Sequence, residues 1–393
     1  MTTRTIFELI STLTLALCAS AQEPLIITFN PPGAGTAPGQ GTTGCCEINS
    51  QGALSGYYAD SNNVTHSFLR SPDGRITTFD APGAGSQNVP GYFLTLAFPI
   101  MTGQGSYASS INRAGAIAGF YFDSQNVAHG FLRDPDGKFT TFDAPKKYAG
   151  TGLGQGTFAG NINDSGVIAG YTVDANGVDR GFIRDASGDI QIFNAPGAGN
   201  GSGQGTVLGE ATCLNDLGEI VAWSFDSDNV AHGVAGFPGG VLNTFDAPGA
   251  GTGEPGPNGN QGTYAWSINI SGTVTAGFVD DNNVFHGYVR NSFGQITTFD
   301  VSGAGTCSVC GTLPEDINDA GQIVGYYIDA NVVNHGFQRD AAGQIAKFDV
   351  PAAGTCSGCG TLAYANNGAG TIAGLYFDQN GAVHAFLLLF GLP

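Results

Sequence analysis

Short runs of apolar and polar residues alternate along the whole chain in a recurring order. A representative stretch is Ile111 to Phe142, INRAGAIAGFYFDSQNVAHGFLRDPDGKFTTF, in which three turn sequences separate four runs of apolar residues. Runs of this length, rich in β-branched and aromatic residues and bounded by Gly, Asp and Asn, are typical of β-strands. The INxxG and DPDG sequences suit tight turns, and DxNNV suits a slightly longer hairpin loop. The pattern therefore predicts four antiparallel strands in each repeat.

The four-strand unit recurs seven times. Each fourth strand ends at a phenylalanine, and a Gly-rich connection, usually APGAG followed by GQGT, leads to the next unit. Seven four-stranded antiparallel units predict an all-β, seven-bladed β-propeller. An open β-solenoid is the alternative. The units end near Phe29, Phe79, Phe142, Phe193, Phe245, Phe299 and Phe348.

The two ends of the chain complement each other. Residues 25–30 match only the fourth strand of a unit, and residues 383–388 match only the third. The last unit thus lacks a fourth strand, and the N-terminus carries a spare one. Pairing them would close the ring and protect the sheet edges, whereas an open solenoid leaves this complementarity unexplained.

The first residues have the pattern of a secretory signal. Arg4 precedes a mostly apolar run from Ile6 to Leu17, and Ala19-Ser20-Ala21 suits cleavage before Gln22. We therefore predict a signal peptide at 1–21, a single propeller domain at 22–393, and a secreted location, extracellular or periplasmic. No later apolar run reaches the ~20 residues that a membrane-spanning helix needs.

Charge narrows the choice of partners. The chain has 13 Lys and Arg against 32 Asp and Glu, for a net charge of -19, and the acidic residues are spread over the turns. Such a surface repels phosphate backbones, so nucleic acid is not expected as a partner. We expect a monomer that binds an extracellular glycan or protein.

One motif resembles a known family. Val383-His384-Ala385-Phe386-Leu387, with HGFL or close variants in earlier units, resembles the HAF family of bacterial extracellular repeats. The resemblance implies a secreted or surface-located repeat protein and brings no catalytic residue with it. The signatures of kelch and tryptophan-aspartate propellers are missing.

All six histidines occupy one position of the repeat, and Arg180 replaces histidine in the third unit. An aspartate precedes each by six residues, which places the two opposite each other across the hairpin. We predict structural Asp-to-His contacts and no metal. The alternatives are that the histidines bind a ligand or metal, or that DxNN forms a calcium loop. The pairs are Asp60 and His66, Asp123 and His129, Asp174 and Arg180, Asp226 and His232, Asp280 and His286, Asp329 and His335, and Asp378 and His384.

The cysteines interrupt the repeat. CxxC pairs in the sixth and seventh connections replace the GQGT sequence, and Cys45 and Cys46 lie in the first unit. In an oxidising compartment we expect disulfides at Cys307, Cys310, Cys356 and Cys359, with Cys45 and Cys46 as further candidates and the connectivity left open. A zinc site and redox activity of the CxxC motifs are the alternatives. Without Cys18 seven cysteines remain, and the expected unpaired one is Cys213.

Four acids stand outside the repeat pattern on the first strands: Glu47, Glu210, Glu315 and Asp316. A pair of carboxylates can act as acid and base in glycoside chemistry, so these are weak catalytic candidates. The alternative is that they are solvated or line the channel.

The second connection is the longest. From Phe79 to Ile111 it spans 32 residues, against 18 to 23 in the other units, and it contains the apolar Tyr92, Phe93 and Phe98. An apolar run on a loop either packs back on the propeller or contacts a ligand or partner, and in the second case these residues are the ligand-binding candidates. They should share a face with the DxNNV hairpins, here called the hairpin face.

The favoured function is a non-catalytic binding scaffold. The alternative is a polysaccharide hydrolase or lyase, and a structural role in the envelope is a third interpretation.

Overall fold

The computed structural model describes residues 24–88, 103–209, 212–253 and 260–390, apart from the side chains of Cys45 and Cys46. These residues form 29 β-strands, and no helix occurs among them. The predicted all-β class is confirmed.

The first unit shows the repeating arrangement. Its strands β2 (Gly41–Ile48), β3 (Leu54–Ala59), β4 (Thr65–Arg70) and β5 (Ile76–Phe79) pair antiparallel in sequence order. Before them lies β1 (Leu25–Phe29). The later strands are β6 (Gly105–Ile111), β7 (Ile117–Phe122), β8 (Ala128–Arg133), β9 (Phe139–Phe142), β10 (Gly156–Ile162), β11 (Ile168–Val173), β12 (Asp179–Arg184), β13 (Ile190–Phe193), β14 (Gly205–Val207), β15 (Ile220–Phe225), β16 (Ala231–Gly236), β17 (Leu242–Phe245), β18 (Gly262–Thr263), β19 (Ser267–Ile268), β20 (Val274–Val279), β21 (Phe285–Arg290), β22 (Ile296–Phe299), β23 (Gly311–Ile317), β24 (Ile323–Ile328), β25 (Asn334–Arg339), β26 (Ile345–Phe348), β27 (Gly360–Asn366), β28 (Ile372–Phe377) and β29 (Val383–Leu389).

Side-chain caps fix the turns between these strands. In the first unit the Oδ1 atom of Asn49 accepts hydrogen bonds from the amides of Gln51 and Ala53, at 3.0 and 2.9 Å. The Oδ1 atom of Asp60 does the same for the amides of Asn62 and Val64, at 2.8 and 2.9 Å. Asn and Asp recur at these positions because their short side chains bond the backbone two and four residues ahead.

Neighbouring units join through their third and first strands. Thr65 of β4 pairs in parallel with Gly105 of β6, and the later units repeat this bridge. A Cβ atom on Gly105 would lie 1.9 Å from the carbonyl oxygen of Thr65, and φ is +130°, so only glycine fits. The last bridge joins β29 to β2, and the pairings thus trace a closed circuit of 21 strands, three from each unit.

A ring of asparagines links the seven units at the inner end of their first turns. In each unit the Nδ2 atom of the asparagine that begins the INxxG turn donates to the backbone carbonyl of its equivalent in the next unit, at 3.0–3.2 Å. The seventh bonds back to the first, so the circle is complete. Its members are Asn49, Asn112, Asn163, Asn215, Asn269, Asn318 and Asn367.

The N-terminal strand completes the last unit, as the sequence predicts. β1 pairs antiparallel with β29, from Leu25 opposite Leu389 to Phe29 opposite Ala385. The Phe29 ring lies under the guanidinium of Arg70 in the next unit, 5.0 Å from its centroid. Four other fourth-strand phenylalanines make the same contact with the next unit, at 4.6–4.9 Å. β1 therefore occupies the position of a fourth strand in packing as well as in pairing.

Candidate functional site

Two of the predicted off-repeat acids meet inside the ring. The Oγ1 atom of Thr212 lies 3.4 Å from Oε1 of Glu47 and 3.0 Å from Oδ1 of Asp316. Since both oxygens contact one hydroxyl, they are at most 6.4 Å apart. The three residues come from the first, fourth and sixth units, so the contact crosses the axis.

This contact belongs to a network to which every unit contributes. Asn161 Nδ2 lies 3.3 Å from a Glu47 oxygen, Ser267 Oγ donates to Asp316 at 2.7 Å, and the amide of Asn366 donates to Asp316 at 2.9 Å. The network spans the channel and connects strands that are not neighbours in the sheet. Its seven members, one from each unit, are Glu47, Ser110, Asn161, Thr212, Ser267, Asp316 and Asn366.

The hydrogen bonds and charges around Glu47 differ from those around Asp316. Burial, reinforced by the charge of Asp316, raises the pKa of Glu47 from 4.5 to about 8, although the hydroxyl of Ser110 opposes the shift. Burial also raises the pKa of Asp316, but two hydroxyls and two backbone amides donate to it and limit the change. The Thr212 hydroxyl has one proton, so it donates a hydrogen bond to only one of the two acids. We assign it to the closer Asp316, so that protonated Glu47 donates to Thr212.

Glu315, the third candidate acid, has a different hydrogen-bond partner. Glu315 forms a side-chain hydrogen bond with Tyr326, and burial followed by the charge of Asp316 raises its pKa to about 8. The Tyr326 ring packs edge-on against Tyr364, with centroids 6.1 Å apart. Glu210 lies outside the described residues.

The predicted Asp and His residues face each other across their hairpins. The Nε2 to Oδ2 distance is 3.3–3.5 Å at His129, His232 and His384. It is 3.6–3.8 Å at His66, His286 and His335, beyond an ordinary hydrogen bond but within ion-pair range. In the third unit Arg180 donates from Nη1 to Asp174. The histidines are only 21–28% exposed, consistent with a role in the hairpins.

A second carboxylate contacts five of these histidines, and the sequence reasoning missed it. The Nδ1 atom lies 2.8–3.2 Å from an aspartate fourteen residues later, just after the fourth strand. In the seventh unit Asn30, after β1, takes this place at 2.7 Å from His384. The constant spacing was a readable signal. The aspartates are Asp80, Asp143, Asp246, Asp300 and Asp349.

At four of these histidines, aspartates facing both ring nitrogens favour the charged imidazolium; these are His66, His129, His232 and His286. The hydrogen bond that His232 donates to Asp246, with the further contribution of Asp226, raises the pKa of His232 to about 8 despite partial burial. The pKa values of His66, His129 and His286 rise for the same reason. A metal ligand must be unprotonated, and this environment disfavours that form.

The CxxC pairs form disulfides within each motif, Cys307–Cys310 and Cys356–Cys359, with Cα atoms 5.0 Å apart in both. This confirms disulfides at the four predicted cysteines. Cys213 is a free, buried thiol. The side chains of Cys45 and Cys46 lie outside the described part of the structure. Within that part, no group of three or more His, Cys, Asp or Glu residues is arranged to hold a metal ion.

The disulfides replace a polar clip found in other units. In the first unit Gln40 Oε1 accepts from the amide of Ala37 at 3.2 Å, and the third and fourth units have the same contact at 2.9 and 2.8 Å. Gln40 aligns with Cys310 and Ala37 with Cys307. The covalent bond therefore joins the same two positions of the loop.

The hairpin face is built from adjacent units. The amide of Gly39, in the connection into the first unit, donates to the carbonyl of Gly381 in the hairpin of the seventh unit at 2.9 Å. Equivalent contacts recur around the ring, such as Gly154 to Asn126 at 3.0 Å. The predicted binding residues Tyr92, Phe93 and Phe98 lie outside the described residues.

Comparison with known proteins identifies the fold. No family model matches the sequence, and no curated protein sequence matches it. The BP39L lectin of Burkholderia pseudomallei superposes with a TM-score of 0.54 at 10% identity, covering 89% of this chain and 95% of the lectin. This similarity shows a shared fold and carries no site residue across. The HAF resemblance stays a prediction.

Two further solved structures have lower scores. AofleA from Arthrobotrys oligospora gives a TM-score of 0.44 at 11% identity, covering 84% of this chain and 92% of that one. The Aleuria aurantia lectin in complex with Fucalpha1-6GlcNAc gives 0.42 at 13% identity, covering 82% and 96%. Among the described residues, no helix is long and apolar enough to cross a membrane.

Proposed function

We propose that this chain is a seven-bladed β-propeller that binds an extracellular glycan through its hairpin face without catalysing a reaction. The closed circle of seven asparagines supports the blade number, and the pairing of β1 with β29 supports closure by a terminal strand. The domain would comprise residues 22–393 after removal of a signal peptide at 1–21.

The observation that carries the binding role is the fold shared with the BP39L lectin over nearly the full length of both chains. Repetition supports it further. The hairpin and its adjoining connection recur around the ring, so a propeller of this kind presents several similar surfaces to a branched or repeating saccharide. Multiple weak sites can then act together.

The catalytic alternative has one geometric point in its favour. Glu47 and Asp316 contact the same hydroxyl and lie at most 6.4 Å apart, which is compatible with the short carboxyl separation of retaining glycoside hydrolases. However, Asp316 is only 5% exposed and already accepts hydrogen bonds from Thr212, Ser267 and the backbone. A sugar reaching it would have to break the network that joins the seven units. We therefore favour a structural role for this pair.

Secretion is part of the proposal. Two disulfides within short surface loops are typical of proteins that fold in an oxidising compartment. The acidic surface fits a monomer with no nucleic-acid partner.

A glycan array probed with the fluorescently labelled chain 22–393 tests the function. We expect binding to a defined set of glycans, with the same selectivity in Glu47→Gln. Each bound glycan is then incubated with unlabelled protein, and new reducing ends are measured. An empty array refutes glycan binding, and reducing ends that appear with the wild type but not with Glu47→Gln establish the hydrolase instead.

A further inference from the structure

The third unit departs from the repeat on the hairpin face. Arg180 stands where six units have histidine, and Asn194 replaces the aspartate that follows the fourth strand. The connection into this unit reads APKKYAG where most units have APGAG, so it is two residues longer and carries Lys146, Lys147 and Tyr148. All these changes add positive charge or remove negative charge at one place.

The structure brings these residues together around Tyr148. Its amide donates to the carbonyl of Pro145 at 2.7 Å, and its carbonyl accepts from Thr172 Oγ1 at 2.8 Å, so the backbone is fixed. Its ring lies 5.0 Å from Nζ of Lys147 and 5.6 Å from Cζ of Arg180. The loop is thus an ordered aromatic and cationic cluster.

Most N–H donors of the Arg180 guanidinium make no hydrogen bond to the described residues. One Nη1 hydrogen bond to Asp174 is its only hydrogen bond within the described residues. In five other units the histidine meets a second aspartate, but here the neutral Asn194 holds that position. A guanidinium has five N–H donors in a planar fork, a shape that matches a carboxylate or sulfate. Asp179 precedes Arg180 on the strand and so points to the opposite face.

A cluster of positive charge is also unusual for this molecule. Only 13 residues of the chain are Lys or Arg, and five of the arginines pack on phenylalanines of a neighbouring unit. Lys146, Lys147 and Arg180 cluster at one site, and both lysines are exposed. In a protein of net charge -19 a compact cationic site selects anions locally while the remaining surface repels them.

We propose that the third unit carries a binding site for an acidic saccharide. The carboxylate or sulfate of the sugar would bind Lys146, Lys147 and Arg180. An apolar face of the sugar ring would pack on the Tyr148 side chain. The inference rests on the proposed glycan-binding function and names its ligand class.

Titration calorimetry with tetragalacturonate tests it, using the fully methyl-esterified tetramer as the neutral match. We expect the acid to bind the wild type at least about tenfold more tightly than the ester, because the neutral ester accepts no charge-assisted hydrogen bond from the lysines or from Arg180. A sulfated galactan tetramer in a parallel titration distinguishes sulfate from carboxylate. Equal affinity for acid and ester, together with no binding of the sulfated tetramer, refutes the inference.

Two variants locate the site. Lys146→Gln with Lys147→Gln changes exposed side chains only, and Arg180→His with Asn194→Asp restores the pattern of the other units. Each double variant should lose about tenfold or more in affinity for the acidic probe. Lys138→Gln, an exposed lysine on an outer turn of the second unit, is the matched control and should keep the wild-type affinity. An equal loss in the control would show non-specific charge attraction and refute the site.

The outcomes separate the two proposals. Array binding confined to neutral glycans, with no binding of either acidic tetramer, refutes the acidic site and leaves the binding function standing. An empty array together with failed titrations refutes both.

Discussion

Replacing Glu47 with glutamine should stabilise the protein at alkaline pH. Glu47 is hydrogen-bonded inside the ring, and its pKa rises from 4.5 to about 8. A carboxyl that holds its proton more tightly when folded stabilises the native state most at low pH. This contribution is lost as pH rises from 4.5 to about 8, where the unfolded chain is ionised and the folded one must follow. Glutamine copies the protonated acid and carries no such penalty.

The size of the effect follows from the pKa difference. Each pH unit over which the native state alone retains the proton is worth about 1.4 kcal/mol. Between pH 5 and pH 9 the stability of Glu47→Gln relative to the wild type should therefore rise by up to about 4 kcal/mol. Glutamine also preserves the hydrogen bonds: its Nε2 donates to Thr212, and its Oε1 accepts from Asn161.

Urea unfolding followed by the fluorescence of Trp223 and Trp266, at pH 5, 7 and 9, measures the difference directly. Histidines with raised pKa values also lower wild-type stability as pH rises, but they are present in both proteins and cancel in the comparison. Asp316→Asn is the contrasting variant and should be destabilised at all three pH values, because its new amide group faces donors. A constant difference between Glu47→Gln and the wild type from pH 5 to pH 9 would show that Glu47 is ionised in the fold and would refute this account.

Three other changes test the architecture. Deleting residues 25–29 should lower the melting temperature by many degrees and promote aggregation, because it exposes the edge of β29; an unchanged melting temperature in calorimetry would contradict the closure. Cys307→Ala combined with Cys310→Gln should cost no more than about 2–3 kcal/mol in urea unfolding, since it restores the polar clip of Gln40 in place of a disulfide closing a very short loop. His232→Gln should destabilise the protein at pH 6 and much less at pH 9, since the contribution of His232 is complete below its ordinary pKa of 6.5 and is lost as pH rises through about 8; equal losses at both pH values would exclude a charged histidine.

The local sequence pattern was sufficient to predict the strands and the closure of the ring. Alternation and turn chemistry act within a few residues, so they are visible in one unit, and repetition confirms them six more times. The spare strand at 25–29 could be paired with 383–389 because each matched a different part of the same unit. The second aspartate partner of five histidines could also have been predicted from the sequence. The antiparallel register that sets Ser67 opposite Phe79 also sets His66 opposite Asp80.

The link between Glu47 and Asp316 through Thr212 could not be predicted from the local sequence pattern. The sequence marked both as exceptions to the repeat, but their distance depends on the diameter of the ring and on which units face each other. Thr212 supplies the link, and it lies in a unit whose first strand is irregular: β14 ends at Val207, and an isolated bridge joins Leu214 to Ile220. No local rule places that hydroxyl on the axis.

Departures from a repeat therefore fall into two physical kinds. Those that point to the axis, such as Glu47 and Asp316, find partners from opposite units, and the low exposure of the channel makes those partners necessary. Those on the hairpin face have no opposite unit to meet them, and Arg180 keeps free donors while Lys146 and Lys147 remain exposed. An unusual residue is thus evidence for a ligand only where the ring itself does not supply the partner, and in this molecule that condition directs attention to the third unit.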